Sequence, residues 1–135
     1  MLDGWRTESM SKNGQAVQDL RHVMLLIGDL EPLTLSTKPL EPYLINLVAI
    51  IEKNPDSIDQ IKAEFVRLVA TFPPGANHIL QFVMHRYRWE EVRQALIDRA
   101  SSTSNLNLQQ VLADVLLAFD PDWPDHDLYE TYRDG

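Results

Sequence analysis

Residues 78–100, HILQFVMHRYRWEEVRQALIDRA, hold the densest mixture of apolar, aromatic and charged side chains in the chain. On one helix at about 100° per residue, Ile79, Leu80, Phe82, Val83 and Tyr87 point one way, and Trp89, Val92, Ala95 and Leu96 roughly the opposite way. Either the stretch is a central helix packed on two faces, or the chain breaks between Arg86 and Trp89. A restart with Glu90 and Glu91 in a new first turn favours the break, because carboxylates suit the positive end of a helix dipole. His85, Arg86, Tyr87, Arg88 and Trp89 then form a corner between two consecutive helices.

The same 3.6-residue spacing recurs on both sides of this corner. Ala16, Val17, Leu20, Val23, Met24, Ile27 and Leu30 define a first helix. Leu40, Tyr43, Leu44, Leu47, Val48 and Ile51 define a second, and Ile58, Ile61, Phe65, Leu68, Val69 and Phe72 a third with the cleanest stripe. Leu108, Val111, Leu112, Val115, Leu116 and Phe119 make a last one, and Ser57/Gln60 and Asn107/Gln110 have capping-box spacing. Pro32, Pro39, Pro55, Pro73, Pro74 and Gly75 punctuate the series. No segment alternates in the manner of a strand. The expectation is an all-α single domain of about six helices, arranged as antiparallel hairpins in a compact bundle or a short HEAT-like α-solenoid. Residues 1–13 read as a flexible lead-in, 14–120 as the helical domain, and 121–135 as an acidic, aromatic tail with apolar reason to pack back on it.

Composition narrows the classes of function. A chain of 135 residues with 44% hydrophobic content suits one domain that buries about two thirds of its unfolded surface. The absence of cysteine excludes disulfides, thiol nucleophiles and cysteine-based zinc sites. The amino-terminal residues have no apolar core for a secretory signal, and no apolar stretch approaches the roughly 20 residues that span a bilayer, so a soluble, cytoplasmic protein without a membrane partner is expected. The net charge is −8. Much of it lies in residues 119–135, where Asp120, Asp122, Asp125, Asp127, Glu130 and Asp134 face one arginine, Arg133. No basic footprint is left for phosphate neutralisation, so nucleic acid is not an expected partner, whereas a basic protein would be steered toward the chain.

No catalytic motif, metal-ligand set or cofactor motif is present, and no cofactor is expected. His78 and His85 are seven residues apart, about 10 Å along a helix, too far to share one ion. Asp125, His126 and Asp127 lack the glycine and alternate spacing of an oxygen-rich cation loop. The candidate partner-binding residues are therefore Arg86, Tyr87, Arg88 and Trp89 at the corner and Trp123, Asp125, Asp127, Tyr129 and Tyr132 in the tail. In this reading carboxylates steer a basic protein and rings anchor it. Alternatively, Tyr87 and Trp89 are expected to pack in the core for their own helices, while Arg86 and Arg88 pair with Glu90, Glu91 or the tail. The favoured function is a non-enzymatic protein-interaction module, with the general character of acidic immunity-type inhibitors of toxic nucleases or of a small subunit of a larger assembly. The alternative is a ligand-binding or enzymatic helical domain with an inter-helix pocket near His78, His85 and Arg88.

Overall fold

The break expected inside residues 78–100 falls at Arg88. In the computed structural model, which describes residues 14–34 and 36–133 in full, α4 (Ala76–Tyr87) ends there and α5 (Glu90–Ser102) begins two residues on. Arg88 takes the left-handed conformation, φ 51° and ψ 47°, and its N–H closes the helix on the Met84 carbonyl at 2.8 Å. Trp89 is extended, φ −65° and ψ 123°, so its indole turns back into the core. There it meets Phe65 edge-on at 5.4 Å and stacks on Tyr87 at 5.1 Å. The two apolar faces of the stretch are thus buried by two differently directed helices.

The remaining elements are α1 (Leu2–Leu30), α2 (Glu41–Lys53), α3 (Ile58–Thr71), α6 (Leu106–Leu117) and a short α7 (Glu130–Arg133). Three 3-10 turns, Glu31–Leu33, Pro55–Ser57 and Pro124–Leu128, lie between them. No strand occurs among the described residues, and the class is all-α. Residues 2–13, expected as a lead-in, fall within α1, and the side chains of residues 1–13 lie outside the described residues.

The helices lie in two layers. α1, α3 and α5 are successive neighbours in one, α2, α4 and α6 in the other, and α1–α2 and α5–α6 pair across them. α4 is the most deeply placed: Ile79, Leu80, Phe82, Val83 and Met84 are all essentially inaccessible. Each such side chain, taken from water to a packed interior, contributes about 1.5–3 kcal/mol. A wall is still needed for the face of α4 that turns away from the first layer. The tail supplies it.

Local signals explain the joints. Gly75, φ 85°, starts α4 in a conformation that side chains disfavour, and a Cβ there would sit 3.0 Å from Ile27 Cγ2, so α1 and the 73–75 loop approach only because the residue is glycine. Arg99 donates to the Val69 carbonyl, and to the Ala70 carbonyl at 2.7 Å, placing a cation at the negative end of α3. Two caps differ from expectation. Asn105, not Asn107, caps α6 by accepting the Leu108 N–H at 3.1 Å, and Ser57 makes no side-chain cap because the chain enters α3 through the Pro55–Ser57 turn.

Candidate functional site

The tail returns along α4 and is fastened by buried aromatic rings. Trp123 and Tyr129 are 1% and 0% exposed. Phe82 receives Tyr129 edge-on at 5.2 Å and Tyr132 at 5.0 Å, and the Tyr132 hydroxyl donates to the Phe82 carbonyl at 2.5 Å. One turn further along α4, His85 lies between Trp123 at 5.0 Å and Tyr132 at 4.8 Å. Burial pushes the Tyr132 phenol up to about 12 and the Tyr129 phenol higher still.

A polar clamp completes the docking. Glu41, in the first turn of α2 and only 7% exposed, accepts the Glu130 and Thr131 backbone N–H groups at 2.9 Å each and the Thr131 hydroxyl at 2.7 Å. A carboxylate from a segment ninety residues away thus satisfies the free N–H groups at the start of α7. Thr37 adds a bond from the connector, its hydroxyl donating to the Leu128 carbonyl at 2.7 Å.

This arrangement corrects part of the sequence-based reading. Trp123 and Tyr129 are core residues, so neither ring is free for a partner to bury, and Tyr132 is held half-buried between Phe82 and His85. At the corner, Trp89 is interior, in line with the alternative reading of it as a core residue rather than a partner anchor. Tyr87 is half-buried against it, and Arg86 reaches Glu52 at 3.0 Å rather than Glu90, Glu91 or the tail. Glu91 is taken by Lys62 at 3.3 Å and Glu90 by Arg93 at 3.4 Å. The Arg86 guanidinium holds the Glu52 carboxyl below its ordinary range, with a second contribution from the Tyr87 hydroxyl.

Asp125 and Asp127 behave differently. Together with Asp120, Asp122 and Glu130 they are exposed, and none of the five forms an ion pair with a described residue. The buried rings hold the backbone between them against α4, so these carboxylates stand on a docked segment, Asp122 beside one flanking cavity and Asp127 beside the other.

Two cavities flank the tail, and they separate the histidines that sequence reading placed together. His78 lines one of about 640 Å³ between the connector and the tail, its Nδ1 3.3 Å from the Tyr129 hydroxyl and its Nε2 3.9 Å from Glu31. His85 and Arg88 share the other, about 440 Å³, with His126 and the side chains of Trp123 and Tyr132. Burial holds both His78 and His85 below the ordinary imidazole value; Glu31 opposes this at His78, and Arg88 and His126 reinforce it at His85. Among the described residues no three His, Asp or Glu side chains converge to hold a metal ion, and no helix is long and apolar enough to cross a membrane.

Glu41 is the residue that sequence reading missed. It stands before Pro42 as an ordinary first-turn acid, and nothing local distinguishes it, because its partners lie at the other end of the chain. No family model, curated protein or solved structure matches this chain.

Proposed function

We propose that this chain is a non-enzymatic protein-interaction module that offers the carboxylate edge of its docked tail to a basic protein partner. The observation that carries the reading is that Asp120, Asp122, Asp125, Asp127 and Glu130 are all exposed on a docked segment and none forms an ion pair with a described residue. Unpaired charge on a prefixed backbone steers a partner of opposite sign and meets it with little ordering entropy to lose. Leu128, 49% exposed beside Asp127, supplies an apolar contact within the same edge. The two-layer order of the helices is similar in kind to short α-solenoids of the HEAT type, which present extended faces to other proteins. An inhibitor of a basic enzyme, as immunity-type proteins are, and a small subunit of an assembly are the two forms such a module takes.

The test is differential capture. The wild-type chain and the triple variant Asp125→Asn, Asp127→Asn, Glu130→Gln are immobilised in parallel and exposed to host extract across a salt series. The expected result is a basic protein retained by the wild type, released by salt and lost on the triple variant, both chains having the same circular dichroism spectrum. Equal retention on both chains would overturn the proposal, as would a retained set without basic members.

A further inference from the structure

The side chains around the cavity of about 440 Å³ between the end of α4 and the tail offer acceptors and, apart from Arg88, no available donor. His85 Nδ1 lies 2.8 Å from the Ala118 carbonyl, and His126 Nδ1 2.8 Å from the Trp123 carbonyl. A carbonyl only accepts, so each Nδ1 carries the proton and donates it, and each Nε2 keeps a lone pair without a partner among the described residues. The other donors of the wall are already engaged or enclosed. Thr131 donates its hydroxyl proton to Glu41 and Tyr132 donates its own to the Phe82 carbonyl, while the Trp123 indole N–H has no accessible surface. Asp122 adds a carboxylate, exposed and without an ion pair to a described residue.

A wall of this kind suits a head that carries donors and no acceptor. Among charged side chains lysine and arginine meet that condition, and the planar guanidinium, with N–H groups on three nitrogens, reaches several separate acceptors at once. Its aliphatic stem finds apolar surface at Pro121 and Pro124. One feature opposes a cation. Arg88 lines the cavity too, exposed and without a hydrogen bond or ion pair to a described residue, so its like charge weakens the site unless its side chain turns out to solvent. We infer that this cavity receives an arginine side chain of the partner, with the Nε2 atoms of His85 and His126 and the Asp122 carboxylate as its acceptors. The inference rests on the basic-partner reading of the tail and names the side chain that the partner inserts.

N-acetyl-arginine amide is the probe, titrated at a constant, slightly alkaline pH that keeps the imidazoles neutral, while the ring resonances of His85 and His126 are followed by NMR. N-acetyl-citrulline amide is the comparison, alike in shape but neutral and with a carbonyl acceptor in place of one donor. Saturable shifts with the arginine probe, about tenfold tighter than with citrulline, are expected. Two variants that keep both histidines as reporters should move in opposite directions: Asp122→Asn weakens the arginine probe about fivefold, and Arg88→Gly, which removes the like charge and suits the left-handed turn, tightens it about threefold. A general disturbance of the fold would not produce opposite signs. The inference is overturned if the arginine probe causes no saturable shift, if citrulline binds as tightly, if Asp122→Asn binds as well as the wild type, or if Arg88→Gly binds no better. Because the probe is read without any partner, its failure leaves the outcome of the capture experiment untouched, and a failed capture leaves the probe result untouched.

Discussion

Replacing Trp123 by alanine separates a tail that is part of the core from one laid on the surface. The ring is 1% exposed and packs on His85 at 5.0 Å and Tyr129 at 6.1 Å. Truncating a buried aromatic of this size costs about 3–5 kcal/mol. One correction lowers that figure: the buried indole N–H has no partner among the described residues, an arrangement that costs of order 1–3 kcal/mol and that alanine removes. The net expectation is a loss of about 2 kcal/mol, a large share of the roughly 5–15 kcal/mol available to a domain. In urea unfolding, with slopes of about 1–3 kcal/mol per M, the midpoint should fall by about 1–2 M. Trp123→Phe keeps a packed ring and removes the unpartnered donor, so it should stay within about 1 kcal/mol of wild type. A loss below about 0.5 kcal/mol for Trp123→Ala would refute the reasoning, since only a surface ring can be removed so cheaply.

Other consequences follow from the same contacts. Glu41→Gln replaces a carboxylate that accepts three hydrogen bonds with an amide that has one acceptor oxygen, and should cost about 1.5–3 kcal/mol in urea unfolding. His78 and His85 are held below their ordinary value of 6.5 by burial, so the unfolded chain binds more protons between the lowered values and 6.5. Their contribution to stability is therefore present above about 6.5 and lost as pH falls through that window; thermal midpoints should decline from pH 7 to 5, less steeply in His85→Gln. At the other extreme Tyr132, pushed up to about 12, ionises more readily in the unfolded chain, so stability should fall as pH rises from 10 to 12, read by unfolding followed with circular dichroism.

The helices were legible because burial forces periodicity on sequence. The stripe of Ile61, Phe65, Leu68 and Val69 needs one face for the core, and the opposed faces around Arg88 need two helices. The tail was only partly legible. Its rings gave it reason to dock, but the rings that look most like partner anchors, Trp123 and Tyr129, are the ones the fold consumes, and composition alone does not distinguish a ring awaiting a partner from a ring awaiting its own core. Glu41 and Arg88 were illegible for a different reason. One acts across ninety positions, and the other is notable for a backbone angle and for contacts it does not make.

Both the acidic edge and the cavity beside Arg88 exist only if the tail is docked, and hydrogen exchange at Glu130 and Thr131 tests this most directly. Their amides donate to the buried carboxylate of Glu41 at 2.9 Å each, on a segment pinned by Trp123 and Tyr129. The account predicts that both amides exchange far more slowly than in an unstructured peptide, and that Glu41→Gln accelerates them while Leu80 and Val83 in α4 stay protected. Exchange of Glu130 and Thr131 at the unstructured rate, with α4 still protected, would contradict it.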